Sequence, residues 1–234
     1  QLGAEVYGVS DGLVSVPSHF ESAGLSSQMR EEFLDITDGV ALKRLVEKIQ
    51  PDFVFHLAAQ ALVRRSYLHP IETWQTNLIG TANLLEALRN VKQSCVAVLI
   101  TSDKCYDNVE WEWGYRETDA LGGPDPYSAS KGAAELAIRS YVRSFFPSDG
   151  VIRIGVCRAG NVIGGGDWAD DRIVPDCMRA WSHGKTVSLR NPLATRPWQH
   201  VLEPLSGYLN LALMLHNDSG LHGEPFNFGP PANL

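Results

Sequence analysis

Short apolar runs alternate along this chain with stretches whose apolar positions recur every three or four residues. The runs from Phe53 to Leu57, Val96 to Thr101 and Ile152 to Cys157 are rich in β-branched residues and show little in–out alternation, the pattern of strands buried on both faces of a parallel sheet. Between them Leu42, Leu45, Val46 and Ile49, and then Leu78, Ala82, Leu85 and Leu88, keep helical spacing. Alternation of this kind predicts an α/β fold with a doubly wound parallel sheet. Past about Gly160 the pattern turns loop-rich, with Gly164-Gly165-Gly166 and scattered prolines. The expected organisation is therefore a main domain over 1–160, and 161–234 mostly a smaller substrate-binding lobe interleaved with it.

In open α/β sheets ligands sit outside the carboxyl ends of the strands, so Ala58 to Gln60, Ser102 to Lys104 and Arg158 to Asn161 are the first places to seek chemistry. A dinucleotide-binding fold normally opens with a strand, a glycine-rich turn and a helix whose N-terminus holds the pyrophosphate. This chain opens Gln1-Leu2-Gly3-Ala4-Glu5-Val6, which reads as the glycine-capped end of a helix entering the second strand. In the order 3-2-1-4-5-6 the first strand lies mid-sheet, and its loss would leave an unpaired edge on each neighbour. The expectation is a truncated chain lacking the first strand and glycine-rich turn, and also a C-terminal segment after Asn227-Phe228-Gly229-Pro230-Pro231. Such a chain would be unstable and bind a dinucleotide poorly.

Composition narrows the partners. The 234 residues are 44% hydrophobic and 20% charged, ordinary for a soluble globular protein. A net charge of -7 argues against a nucleic-acid or anionic-membrane partner. No apolar run approaches the roughly 20 residues that span a bilayer, and no basic-then-apolar signal opens the chain, so a cytoplasmic location is expected. Cys95, Cys105, Cys157 and Cys177 are far apart and form no Cys-x-x-Cys pair. They suggest neither metal site nor disulfide framework, only reduced and mostly buried thiols.

The strongest local signal is Tyr127-Ser128-Ala129-Ser130-Lys131. An i, i+4 spacing places tyrosine and lysine on one helical face, where an ammonium favours the phenolate and makes it a usable base for a hydroxyl. Alone, the match is weak and reads first as a chance surface pair. It follows, however, a strand ending in Thr101-Ser102-Asp103-Lys104, a polar stretch where a catalytic loop belongs. At another strand end, His56-Leu57-Ala58-Ala59-Gln60 offers small residues that would let a cofactor ribose approach the backbone, or simply pack a tight strand–helix turn.

The Tyr-x-x-x-Lys pair, His56-Leu57-Ala58-Ala59, Thr76-Asn77 and Arg158-Ala159-Gly160-Asn161-Val162 together resemble the extended short-chain dehydrogenases/reductases, and the resemblance covers essentially the whole chain. Ile100 to Asn108, Gly164-Gly165-Gly166-Asp167-Trp168 and Arg196-Pro197-Trp198-Gln199-His200-Val201-Leu202-Glu203-Pro204 are most similar to the 4,6-dehydratases of that family that act on CDP-glucose. Where dehydratases for other nucleotide sugars usually carry Asp-Glu, this chain has Asp103-Lys104. A lysine can act as base only when deprotonated, which desolvation and nearby cations promote.

The resemblance implies a Rossmann-like sheet and tightly held NAD, with Asp35 and Ile36 at the adenine and Leu57, Ala58, Ala59, Gln60, Asn77 and Thr101 around the cofactor. It implies Tyr127 and Lys131 at the nicotinamide ribose, and Asp11 as a ribose partner or an exposed loop aspartate. It further implies a redox-neutral dehydration of CDP-glucose: Tyr127 as base at the 4-hydroxyl, Ser102 on the C4 oxygen, Lys104 as base at C5 and Asp103 as acid for the departing 6-hydroxyl. Asn161, Arg172, Arg190, Arg196 and His200 are candidates for the sugar nucleotide, the arginines because a guanidinium suits a diphosphate. Trp168 and Trp198 would line its pocket or pack the lobe. A homodimer or homotetramer, and deoxysugar supply for a bacterial surface polysaccharide, are family expectations. The alternatives are a dTDP-glucose or GDP-mannose dehydratase, an epimerase, or a non-catalytic binding fragment.

Overall fold

The computed structural model describes residues 3–13, 16–189 and 191–230. Along the chain run β1 (Tyr7–Ser10), α1 (His19–Ser22), β2 (Arg30–Phe33), α2 (Gly39–Ile49), β3 (Phe53–His56), α3 (Val63–Leu68), α4 (Pro70–Trp74), α5 (Gly80–Leu88) and β4 (Cys95–Ile100). There follow α6 (Pro126–Phe145), β5 (Ile152–Ala159), the short β6 (Val162–Ile163), α7 (Ile173–Ser182), the short β7 (Gln199–His200), α8 (Leu202–Asn217) and β8 (Pro225–Phe228). They form two compact units, one of 1–35 with 163–196 and one of 36–162 with 197–234.

In the first unit β1 and β2 pair in parallel, Tyr7 opposite Arg30 and Ser10 opposite Phe33. Ser18 starts α1: its Oγ accepts the Glu21 N–H at 3.1 Å and donates to the Glu21 carboxylate at 2.8 Å, a reciprocal cap that satisfies an otherwise orphaned amide. A cavity of about 300 Å³ in this unit is bordered by Gly8, Ser10, Gly12, His19, Met29 and Gly166.

The second unit holds the main sheet, in the order β3-β4-β5-β8, all parallel. β4 is its centre, and Cys95 to Leu99 are all 0–1% exposed. Side chains alternate across a strand, and one face, Val96 and Val98, packs with Cys157 against Tyr208, Leu211, Ala212 and Leu215 of α8. Gly155 makes this close approach possible, since a Cβ there would meet Leu215 at 2.7 Å. α2 packs on α5 and α5 on α6.

The apolar runs thus form parallel strands as their pattern predicts, with one difference at β3. Its Phe53 is 45% exposed, because among the described residues β3 pairs only with β4 and β1 only with β2, which leaves each with an unpaired edge. A second difference lies beyond Gly160. That loop-rich stretch supplies a 16-residue helix and a further sheet strand, α8 and β8. β8 begins at a proline, tolerated at the first residue of a strand, and Pro225-Phe226-Asn227-Phe228 is too short to announce itself by periodicity.

His56, at the end of β3, is held at 3.0 Å from Thr81 Oγ1, and that hydroxyl donates its only proton to the Asn77 carbonyl at 2.7 Å. His56 Nε2 must therefore donate, which fixes a neutral imidazole with its proton on Nε2. Burial, helped by the Lys131 ammonium, lowers its pKa from 6.5 to about 3. A proton that the unfolded chain takes up near 6.5 is refused by the folded one down to about 3, so stability falls as pH drops through that window.

Two outcomes follow from this packing. Leu99→Ala, at a fully buried site, should lower unfolding free energy by about 2–5 kcal/mol in a denaturant titration. His56→Gln keeps an Nε2 donor, and should remove a slope of up to about 1.4 kcal/mol per pH unit from stability measured between roughly pH 6 and 4.5.

Candidate active site

At Thr101 the chain leaves the apolar strand β4 and turns polar. Ser102 begins a 3₁₀ turn, Asp103–Cys105. Its Oγ accepts the Lys104 N–H at 3.2 Å and donates to Asp103 Oδ1 at 3.0 Å. Thr101 and Ser102 are buried, whereas Asp103 and Lys104 are half-buried at the turn's outer edge.

The turn packs against α6. Asp125 caps that helix, accepting the Ser128 N–H at 3.0 Å and the Ser128 hydroxyl at 2.6 Å, and Pro126 occupies the first turn. This start fixes the helical phase. It sets Tyr127 and Lys131 one turn apart on one face, 8% and 6% exposed. Gly132 then lets the turn come close: a Cβ there would stand 3.1 Å from the Cys105 carbonyl and from the Gly122 amide. Burial lowers the Lys131 pKa to about 8, against the opposing pull of the Glu135 carboxylate.

A third segment joins from β3. Helix α4 runs into α5 through one π turn, Gln75–Ile79, an irregularity common at functional sites. From it the buried Asn77 accepts the Gln60 N–H at 2.8 Å and donates to the Gln60 carbonyl at 3.1 Å and to Ser130 Oγ at 2.9 Å. Ser130 in turn donates to the Tyr127 carbonyl at 2.7 Å. One amide thus ties the end of β3 to the helix that carries Tyr127 and Lys131. Ala58 and Ala59 are half-buried and Leu57 is exposed.

The second unit therefore gathers Gln60, Asn77, Thr101, Ser102, Asp103, Lys104, Tyr127 and Lys131 at the carboxyl ends of β3 and β4. Asn161 and His200 belong to the same unit: the Asn161 carbonyl accepts the Gln199 N–H at 3.1 Å, and the exposed His200 accepts the Leu202 N–H through Nδ1 at 3.2 Å. Ile36, the first residue of this unit, is 8% exposed and lies against Gly80. Asp11, Asp35, Arg172 and Arg196 lie in the first unit. Of these, Asp11 and Asp35 are exposed, Arg172 stands at the head of α7, and Arg196 donates to the Thr195 carbonyl at 2.6 Å. Arg190 falls outside the described residues. Trp168 and Trp198 are 40% and 39% exposed.

A phenol, a buried ammonium, an amide pair and two small alanines at adjacent strand ends fit the ribose and nicotinamide half of a dinucleotide. Among the described residues no group of three or more acidic, histidine or cysteine side chains could hold a metal ion. Cys95, Cys105 and Cys157 are buried free thiols, and burial pushes the first and last up to about 12.

The sequence pattern marks Arg158 only as the start of a strand-end stretch, with no partner, and does not mark Glu135. Arg158 donates to both Glu135 oxygens, through Nε and Nη2, at 2.8 Å each, and through Nη1 to Tyr106 Oη at 2.8 Å. The signal was available: Glu135 continues the four-residue spacing of Tyr127 and Lys131.

The family model for GDP-mannose 4,6 dehydratase matches residues 4–221. CDP-glucose 4,6-dehydratase of Salmonella typhimurium is 49% identical over 98% of this chain, which spans 65% of that relative's length. dTDP-glucose 4,6-dehydratase 1 of Escherichia coli is 35% identical over 49% of this chain and 36% of its own. Among solved structures, a dTDP-glucose 4,6-dehydratase double mutant from Streptomyces venezuelae with NAD bound superposes with a TM-score of 0.81 at 23% identity, covering 96% of this chain and 66% of that one. UDP-glucuronic acid 4-epimerase from Bacillus cereus gives 0.81 at 22%, covering 97% and 70%. These likenesses bear out the Rossmann-like parallel sheet. With Tyr127, Lys131 and the Ser102 turn assembled at its strand ends, and the family model spanning 4–221, the chain belongs to the GDP-mannose 4,6 dehydratase family of extended short-chain dehydrogenases/reductases.

Proposed function

We propose that this chain carries the catalytic residues of a cytoplasmic, NAD-dependent CDP-glucose 4,6-dehydratase, which converts CDP-glucose to CDP-4-keto-6-deoxyglucose and water. The observation that carries the reading is the Ser102-Asp103-Lys104 turn packed on the same helix as the buried Tyr127 and Lys131. The 49% identity to the Salmonella enzyme supports CDP-glucose among the possible nucleotide sugars.

NAD, held by the Tyr127–Lys131 face and the Gln60–Asn77 pair, would supply the acceptor and later the donor of a hydride. Tyr127 takes the proton of the 4-hydroxyl. The buried Lys131 ammonium favours the phenolate form that accepts this proton, and a pKa of about 8 leaves the lysine mostly charged at neutral pH. Ser102 donates to the C4 oxygen as charge develops there. Its proton points at Asp103 in the structure, so the hydroxyl rotates when substrate arrives. Lys104, on the outer edge of the turn, removes the C5 proton made acidic by the ketone. Asp103, adjacent to it, protonates the departing 6-hydroxyl, which leaves as water; the hydride would return to C6 and Lys104 gives its proton back to C5. Asp11, Asp35, Ile36 and Ala58 to Gln60 would complete the cofactor contacts. Asn161, Arg172, Arg190, Arg196 and His200 would hold the sugar nucleotide. A homodimer or homotetramer would be the assembled form.

Protein incubated with NAD and either CDP-glucose or dTDP-glucose should yield the 4-keto product, followed by its alkaline ultraviolet absorbance, from CDP-glucose alone. Turnover of dTDP-glucose would reassign the nucleotide, and turnover of neither would favour a binding fragment. Tyr127→Phe should lose about 10²–10⁴-fold in kcat. Lys104→Ala should slow elimination more than the first oxidation, which single-turnover nicotinamide absorbance resolves; equal slowing of both steps would remove Lys104 as the base.

A further inference from the structure

The 106–119 segment, which follows the Ser102 turn, is anchored from two places, Arg158 of a buried ion pair and Asn227 on β8. Glu135 lies on α6 one turn beyond Lys131, and Arg158 lies near the end of β5, their side chains 4% and 3% exposed. Glu135 Oε1 also accepts the Thr101 hydroxyl at 2.5 Å, immediately before Ser102. Arg158 Nη1 donates to Tyr106 Oη at 2.8 Å and to the Glu117 carbonyl at 3.0 Å. Tyr106 donates to Asn227 Oδ1 at 2.6 Å, and Asn227 on β8 reaches the Tyr115 carbonyl and, through its N–H, the Glu117 carboxylate, each at 2.9 Å. Tyr115 stacks on Tyr106 with ring centroids 5.1 Å apart.

We propose that Glu135 and Arg158 are positioning residues for the elimination step: their pair fixes the 102–117 segment, and with it Ser102, Asp103 and Lys104, in register with Tyr127 and Lys131. The inference rests on the functional reading above for its catalytic half only.

A buried ion pair is a weak stabiliser, because desolvation consumes much of its attraction, and apolar side chains of like volume often serve stability as well. Apolar side chains cannot supply what this pair supplies, a planar fork whose donors point in fixed directions. Here those directions run to α6, to the aromatic ring that follows the turn and to the far end of the loop, while the carboxylate takes the hydroxyl that precedes Ser102. The pair acts at a distance from the reacting atoms, so its loss should misplace the acid and base without emptying the site.

The test uses Glu135→Gln, Arg158→Lys and the apolar double variant Glu135→Leu/Arg158→Met, the last guarding against simple unfolding. Cooperative melting selects the folded proteins, and amide exchange and CDP-glucose kinetics are then measured on each. Exchange should rise about tenfold or more across 103–117 with 95–100 unchanged, and kcat should fall about 100-fold with KM nearly constant. Arg158→Lys, which keeps the charge without the fork, should not rescue. Unchanged exchange across 103–117, or raised exchange with normal kcat, would overturn the proposal. If the unsubstituted protein turns over no CDP-glucose, the functional reading fails, and the exchange measurement still decides whether the pair fixes the segment.

Discussion

From Cys95 to Ile100 the chain has no side chain that bonds strongly to water, and the backbone of that strand is paired on both edges, with β3 and with β5. Buried amides without partners are costly, so a segment of this composition is stable only as an inner strand. Its neighbours, the covering helix α8 and the glycine that admits it follow from that requirement. The candidate site follows too, because the first polar side chains after the strand, Thr101 and Ser102, lie where the sheet ends and the chain turns against α6.

The sequence made the parallel strands legible because burial on both faces suppresses alternation, which is itself a pattern. The Tyr127–Lys131 pair was legible because an i, i+4 spacing places both side chains on one helical face, downstream of the polar Thr101–Lys104 stretch. Other features leave no such trace. The π turn at Gln75–Ile79 sits inside continuous helical periodicity and shows only in how Asn77 meets Gln60 and Ser130. β8 is four residues long and begins with proline. The bond between Glu135 and Arg158 joins residues 23 apart, and nothing in either neighbourhood names the other.

The candidate residues divide by what holds them. Tyr127, Lys131, Asn77 and Thr101 are buried, and the last two are bonded on several sides, so their positions are properties of the folded core. Asp103 and Lys104 stand on a single 3₁₀ turn at its rim, fixed by Ser102 from within and by the loop beyond. This asymmetry suits the proposed reaction, in which oxidation would need a rigid frame and elimination an acid and a base that reach the far side of a sugar ring.

Gly132 gives that asymmetry a further meaning. With no side chain on Gly132, α6 comes close to the Cys105 carbonyl, and Cys105 itself is fully buried. Asp103 and Lys104, half-buried beside it, can be exchanged without repacking the interior. A fold that keeps Tyr127 and Lys131 in the core and Asp103 and Lys104 on its rim can change reaction outcome by small local edits, so one scaffold can diversify into enzymes that differ in only a few rim positions.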